Sequence, residues 1–286
     1  MPCPFLKEGR ARYCHAAPVR KLILDGPGVA GGGRCTSPEF VKCELVGKSS
    51  AGKEELQPGR CPHLEEIRVQ YCGVSSVTKL VPFSDSQISS CVSNGYRYCD
   101  SYLTLARPHA STAADGLLYA PNHLWLDVED SGLCHLGVDN FLSEVAGSID
   151  GVTFVTLHGT HCPALALTIH GVEWPISFPN PIMIQKVNTR VRSDPARLAA
   201  DPYGGGWLFE GWELPGRTRL GLVAGEQAAA WQAEERERLA NEIHELQPVA
   251  CDGGVPVNGV AQLLPRENLV CVLQRFFSRR DWTVEE

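Results

Sequence analysis

The chain has 286 residues, of which 43% are hydrophobic and 21% charged, a balance typical of a folded globular protein and not of a disordered or collagen-like one. The formal net charge is −7, and no segment has the dense basic face that binding to a phosphate backbone requires, so no nucleic-acid partner is expected. Apolar runs stay below the ~18 residues of a membrane span and the N-terminus has no apolar signal core, which predicts a cytoplasmic protein.

Cysteines are concentrated at the start of the chain, where their spacing repeats. Eight of the 12 lie in the first 99 residues. CPFLKEGRARYC (3–14) matches CPHLEEIRVQYC (61–72) at an offset of 58 residues, and CTSPEFVKC (35–43) matches CVSNGYRYC (91–99) at an offset of 56. Two blocks that recur in the same order indicate that residues 1–104 are a duplicated module with four cysteines in each copy.

A repeated set of four cysteines indicates metal binding. Thiolates are soft ligands that suit zinc or an iron–sulfur cluster, and the wide gaps favour a [4Fe–4S] cluster over a zinc ribbon, whose ligands come in close pairs. Disulfides and buried thiols are the alternatives, although a reducing compartment opposes the first and a repeat is not explained by the second. Two metal centres are predicted, with ligands within or between the copies, from Cys3, Cys14, Cys35, Cys43, Cys61, Cys72, Cys91 and Cys99.

Local patterns in the module predict one strand and one short helix. Ile67, Val69 and Tyr71 alternate with polar residues up to Cys72, which is the period of a strand. Ser37–Pro38 is a helix-start signal, so one or two helical turns are expected before Cys43.

The middle of the chain changes to a β-rich texture after a small, polar, proline-containing linker at residues 105–116. Leu124, Leu126 and Val128 alternate with other side chains, and VTFVTL (152–157) and ALALTIH (164–170) are short β-prone runs. Turn residues recur between these runs, which is typical of a sandwich of short antiparallel strands.

Three stretches of this region resemble the glycine cleavage system H protein family. They are YAPNHLWLDVED (119–130), with His123 at the family's histidine, GVDNFLSEVAGSI (137–149), and DPYGGGWLF (201–209), the most specific of the three. The resemblance covers about residues 117–212. It implies a barrel-sandwich hybrid of two small sheets, related to lipoyl and biotinyl domains, in which a lipoylated lysine at a hairpin tip carries an aminomethyl group between enzymes.

The lipoyl lysine of that family has no counterpart here. Alignment on Pro181 places the family's Glu-Ser-Val-Lys on residues 170–173, so that Glu173 stands at the lysine position, and the sequence has no lysine between Lys79 and Lys186. A carboxylate cannot form the lipoyl amide, and no lipoate is expected. Lys186 falls on the family's next strand; it is interpreted as an exposed strand residue, with a displaced arm as the weaker alternative.

Two further segments complete the analysis. HGTHC (158–162) groups two imidazoles and a thiol, which could bind metal but is better explained as an exposed hairpin loop. Residues 214–286 are predicted to be helical, with one helix over 225–247 and a second that opens at Pro265; they are expected to pack on each other or on the cysteine-rich module.

The sequence therefore predicts an α+β multi-domain protein: a duplicated cysteine-rich module (1–104), a linker (105–116), an H-protein-like barrel-sandwich hybrid (117–213) and a helical C-terminal region (214–286). No nucleophile–base pair, phosphate loop or paired carboxylates point to an enzyme. The first hypothesis is a non-catalytic binding or regulatory protein whose unidentified partner is a glycine cleavage or redox enzyme. The alternatives are an H-type carrier subunit and an iron–sulfur electron-transfer protein.

Overall fold

The chain divides into two units, and each is described by itself. A computed structural model describes residues 1–16, 19, 21–23, 35–48, 59, 61–77, 79–81, 89–106, 116–214, 221–224, 226–246 and 258–278. The first unit is Met1–Tyr96 and the second is Arg97–Glu286. Most of the predicted linker at 105–116 lies outside the described residues.

The first unit is built on a four-stranded antiparallel sheet. Its order is β2 (Lys21–Ile23), β1 (Leu6–Cys14), β3 (Leu64–Cys72) and β4 (Leu80–Val81). Strand β3 confirms the strand that alternation predicts up to Cys72, and the predicted short helix before Cys43 is a 3₁₀ helix over Pro38–Lys42 with Ser37 as its N-cap. Helix α1 (Glu44–Lys48) follows it, and a second 3₁₀ helix spans Asn94–Tyr98.

Two hydrogen bonds of the first unit lie at matching positions of the two cysteine blocks. The Cys3 amide donates to the Cys91 carbonyl at 2.8 Å, and the Cys61 amide donates to the Cys35 carbonyl at 2.9 Å. Cys3 and Cys61 are 58 residues apart, and Cys35 and Cys91 are 56 apart, the same offsets that relate the sequence blocks. In both cases the first cysteine of one sequence copy donates to the third cysteine of the other copy.

The second unit contains two antiparallel sheets. The larger runs in the order β14 (Val223–Ala224), β5 (Leu118–Tyr119), β6 (Leu124–Val128), β7 (Leu133–Val138), β13 (Phe209–Glu213), β12 (Ile182–Val187) and β9 (Gly159–His161). The smaller runs in the order β11 (Val172–Ser177), β10 (Ala164–Ile169) and β8 (Gly151–Phe154). Two sheets of short antiparallel strands agree with the predicted class of β region.

Helices of the second unit flank these sheets. They are α2 (Asp100–Ala106), α3 (Asn140–Ala146), α4 (Thr189–Ser193), α5 (Arg197–Ala200), α6 (Glu226–Leu246) and α7 (Arg266–Phe277), with a 3₁₀ helix over Val260–Leu263. Helices α6 and α7 confirm the two helices predicted for the C-terminal region, and Pro265 is the N-cap of the second. Within the described part of the chain, every helix is too short or too polar to cross a membrane.

The C-terminal helices belong to the core of the β region. The predicted apolar stripe of α7 is fully buried, and it packs in one cluster with strand residues such as Leu136 and Ile169; the stripe comprises Leu269, Val272, Leu273 and Phe276. Helix α7 contacts both α6 and β11. The two helices therefore contact each other, as expected, and they also complete the hydrophobic core of the second unit.

Trp125 joins the three segments that carry the family resemblance. Its indole is fully buried, and Nε1 lies 2.9 Å from the Val138 carbonyl and 3.1 Å from the Pro202 carbonyl. Only a glycine fits beneath the ring, because a Cβ at Gly137 would lie 2.5 Å from it. Tyr203 packs against the same indole, with the ring centroids 6.1 Å apart.

The turn DPYGGGW is held by the side chain of Asp201, which accepts a hydrogen bond from the Gly205 amide at 2.6 Å. Backbone angles do not explain the glycines of this turn, since Gly204 and Gly206 do not have positive φ. Space is the reason instead: a Cβ at Gly206 would lie 2.7 Å from the Asp201 carbonyl oxygen, and one at Gly204 would lie 2.4 Å from its carboxylate.

Replacement of Trp207 tests the structural importance of this turn. Trp207 is 6% exposed and packs in one cluster with Trp125 and Tyr119. We expect Trp207→Ala to lower the free energy of unfolding by about 3–5 kcal/mol, because it leaves a cavity in that cluster. Chemical denaturation gives the value, with the partly buried Trp212→Ala as a milder control. Unchanged stability would assign Trp207 to a surface role.

Candidate functional site

The hairpin between β10 and β11 is the place where the resembling family carries its arm. His170 and Gly171 form its two-residue tip, with positive φ of 47° and 72°, as a tight hairpin turn requires. Glu173 lies in β11, two residues after Gly171, and is opposite Thr168 in β10. Its side chain is exposed. An exposed carboxylate thus occupies the position predicted from the alignment.

The tip is hydrogen-bonded to other parts of the second unit. His170 Nε2 donates to the Ala146 carbonyl at the end of α3, at 2.8 Å. The Gly171 amide donates to the Asp150 carboxylate at 3.2 Å, and its carbonyl accepts from Arg266 at 3.5 Å. Arg266 is the first residue of α7, so the C-terminal helix holds the same hairpin that it packs against.

Lys186 lies on β12, next to a shift in strand register between Ile184 and Lys186. Its Nζ is 3.5 Å from the Glu210 carboxylate and 5.0 Å from the centroid of the Trp207 ring. The side chain is 59% exposed. This placement agrees with the interpretation as a strand residue, although the ammonium is paired with a carboxylate and an aromatic face.

Glu210 is the centre of a small polar cluster on this face. His135 Nε2 lies 3.3 Å from the same carboxylate oxygen that Lys186 approaches. The hydrogen bond with His135, followed by the charge of His135 and that of Lys186, outweighs the effect of burial and lowers the pKa of Glu210. The ionised form of the carboxylate is therefore favoured, and it holds His135 and Lys186 in place.

Tyr98 covers His135 from the other side. The two rings stack with centroids 3.9 Å apart, and the Tyr98 hydroxyl donates to Asp127 at 2.6 Å. Arg97 pairs with the same Asp127 oxygen at 2.8 Å. Burial, and then the charge of Asp127, raises the pKa of the Tyr98 phenol well above its ordinary value, so this group is a fixed hydrogen-bond donor and not an acid.

His123, the residue at the family's histidine, is completely buried. Its Nδ1 lies 2.9 Å from Asp139, its Nε2 lies 3.6 Å from Glu235, and its ring stacks on Phe141 and Trp231. Burial alone would lower the pKa of the imidazole, but the two carboxylates more than offset burial and raise it. With no exposed surface, the imidazole packs between Asp139 and helix α6 as part of the interior of the second unit.

Sequence analysis did not identify several partners in these clusters. Asp139 could have been identified, because an Asp directly before a helix is a typical N-cap. Its side chain does accept a hydrogen bond from the Leu142 amide. Glu235 lies in a charged helical run, and His135 and Glu210 lie on separate strands, so nothing local marks them as partners.

Two of the predicted metal ligands, Cys14 and Cys72, lie in the paired strands β1 and β3. The register pairs Cys14 with Leu64 at one end and Cys72 with Leu6 at the other. Among the residues that the structure describes, no three His, Cys, Asp or Glu side chains lie close enough together to hold a metal ion. All eleven cysteines among the described residues of the whole chain are free thiols. The metal assignment therefore stays a prediction.

The segment HGTHC is not the exposed hairpin loop that the sequence predicts. Gly159–His161 forms β9, an edge strand of the larger sheet that pairs with β12, and His161 lies opposite Ile182. Both imidazoles are exposed. The Gly-Thr spacing suggested a turn, but the backbone pairs with a strand that is distant in sequence.

The second unit contains an antiparallel β domain with a tight hairpin between β10 and β11 and an exposed carboxylate, Glu173, beside it. Comparison with curated proteins shows that this part of the chain is similar to H proteins. The chain is 31% identical over 134 residues to the glycine cleavage system H protein of Aeromonas hydrophila, covering 44% of this chain and 94% of the relative. It is 26% identical over 105 residues to the H protein of Hydrogenovibrio crunogenus, covering 33% and 75%.

The chain belongs to the glycine cleavage system H protein family through this part of its length. No model of a protein family matches the sequence. Among solved structures, the H protein of Mycobacterium marinum is similar with 22% identity and a TM-score of 0.35, covering 41% of this chain and 96% of that one.

The lowered pKa of Glu210 predicts a pH dependence of stability. A carboxylate with a lowered folded-state pKa contributes stability that is fully present above its ordinary pKa of 4.5 and is lost as the pH falls through the folded value. We expect Glu210→Gln to lower the free energy of unfolding at neutral pH by about 1–2 kcal/mol, because it removes a charge-assisted hydrogen bond.

Denaturant titrations across the acid range measure this effect. The Glu210→Gln variant should lose less stability than the wild type as the pH falls below 4.5. Glu173→Gln, which removes an exposed carboxylate from β11, is the control. Parallel curves for wild type and Glu210→Gln would show that the cluster does not contribute to folding.

Proposed function

We infer that this chain is a non-catalytic binding or regulatory protein, in which an H-type domain without a lipoyl arm is joined to a metal–thiolate module. The observation that carries this proposal is Glu173, a carboxylate at the position where the family attaches lipoate. Lipoylation joins the carboxyl group of lipoate to a side-chain amine, and Glu173 offers no such nucleophile. The domain therefore keeps the family's fold without its transfer chemistry.

The hydrogen bonds of the hairpin suit a docking role. The tip residues His170 and Gly171 are bonded to α3, Asp150 and Arg266, so the tip presents a fixed surface. Helix α7 packs on β11 behind them. A hairpin fixed in this way suits recognition by a partner that reads the surface of an H protein, such as a glycine cleavage enzyme or a redox enzyme.

The thiol chemistry of the cysteine-rich module (1–104) supplies the second half of the proposal. Eight cysteines in two matching sets suit zinc or [4Fe–4S] clusters as a structural anchor, a redox sensor or an electron relay to the docked enzyme. Such thiolates need a reducing compartment, which supports a cytoplasmic location.

A second candidate is a carrier that uses Lys186, favoured by the 59% exposure of this side chain. Its pairing with Glu210 and Trp207 opposes it, because attachment would have to break both contacts.

Lipoylation separates the two candidates. On co-expression with a lipoylation system, we expect the intact mass of the wild type to stay that of the unmodified chain. Glu173→Lys is the matched variant, since it restores an amine at the family's position, and its modification would show that the ligase recognises the domain. A stoichiometric lipoyl mass on the wild type that disappears in Lys186→Arg would establish the carrier function.

A further inference from the structure

The strand pairing of the first unit determines which cysteines can share a metal. Strand β1 has nine residues, and Cys14 is its last. Cys3 lies three residues before its first residue, Leu6, whose amide donates to the Cys3 carbonyl at 3.0 Å. Eight steps of about 3.4 Å separate Leu6 from Cys14, roughly 27 Å. Cys3 and Cys14 therefore lie at opposite ends of the strand and cannot ligate one ion.

The antiparallel partner brings the other copy's cysteine to each end. Leu64, the first residue of β3, is opposite Cys14, and the Leu64 amide donates to the Cys61 carbonyl at 3.1 Å. Cys61 therefore lies at the same end of the β1–β3 strand pair as Cys14, although it belongs to the second copy. A cysteine of the first copy is thus paired with one of the second.

Two more cysteines of the first copy lie at this end. The Cys35 carbonyl accepts from the Cys61 amide at 2.9 Å. Cys43 ends the 3₁₀ helix whose Phe40 is buried in a cluster with Cys61 and Cys35.

We propose that Cys14, Cys35, Cys43 and Cys61 ligate a single zinc ion or iron–sulfur cluster, three from the first copy and one from the second. Four thiolates satisfy the tetrahedral preference of zinc and equally the corners of a [4Fe–4S] cluster. The backbone carries the proposal: it places Cys14, Cys35 and Cys61 at one end of the β1–β3 strand pair, together with the 3₁₀ helix that ends at Cys43. The described side chains do not form a finished site, so binding requires the four thiols to turn toward a common point. The inference rests on the metal–thiolate module of the proposed function and assigns its ligands.

The opposite end of the β1–β3 strand pair also brings cysteines of the two copies together. Cys72 is opposite Leu6, and the Cys91 carbonyl accepts from the Cys3 amide at 2.8 Å. At this end Cys3 of the first copy lies beside cysteines of the second copy, just as Cys61 of the second copy lies beside cysteines of the first at the other end. Cys3 and Cys61 are equivalent in the two sequence copies, so their substitution gives a matched pair of variants.

The test uses the full chain in a background that lacks the other cysteines of the second copy, Cys72→Ser, Cys91→Ser and Cys99→Ser. This background should keep one metal centre per chain in anaerobically purified protein, measured as zinc or as iron with acid-labile sulfide. Adding Cys61→Ser should reduce the metal to near zero, whereas adding Cys3→Ser should leave it unchanged. The reverse result, loss with Cys3→Ser and retention with Cys61→Ser, would overturn the assignment and establish sites within each copy.

Alkylation of single variants in the otherwise wild-type chain answers the same question if the triple background does not fold. With Cys61→Ser, iodoacetamide should label Cys14, Cys35 and Cys43 while Cys72 and Cys91 stay protected; with Cys3→Ser the labelling should reverse. Equal labelling in both variants contradicts the proposal. A wild-type chain that binds neither added Zn²⁺ nor iron would refute the metal module itself, which distinguishes that failure from a wrong ligand assignment.

Discussion

The buried indole of Trp125 is the contact on which the second unit depends. It donates to the carbonyls of Val138 and Pro202, which lie in two segments far apart in sequence, while it sits itself on a third. These hydrogen bonds require the close approach that Gly137 permits. The three segments that resemble the H protein family are therefore the three that meet at one ring.

Polar contacts hold both the lysine and the hairpin of the β region in place. In a carrier, an amine at the hairpin must be free to react; here the only lysine of the β region is paired with Glu210 and lies over Trp207. The hairpin tip is likewise bonded to Arg266 of a helix that belongs to the C-terminal region. The C-terminal helices thus complete the core and also bond to the hairpin tip.

Local patterns in the sequence were sufficient where structure depends on neighbours in the chain. Alternation predicted β3, and helical composition predicted α6 and α7 with Pro265 at the start of the second. The apolar stripe of α7 showed that one face is buried, but no periodicity names the surface that covers it. The strand at 159–161 and the burial of His123 between carboxylates of two distant helix segments depend on partners far along the chain, so sequence reasoning missed them.

Antiparallel pairing of two equal copies has a consequence for any ligand set that flanks the paired strand. One copy runs opposite to the other, so residues before the strand in one copy meet residues after it in the other, and a site built at either end must draw on both. A metal there would fasten β1 to β3. The described part of the first unit has a small apolar cluster around Phe40, Cys61 and Leu64, far less than the core of the second unit. Small units with little apolar burial gain folding free energy from bound metal, since the unfolded chain lacks the site. A metal bound at either end of the β1–β3 strand pair would therefore add stability that this small apolar cluster does not supply.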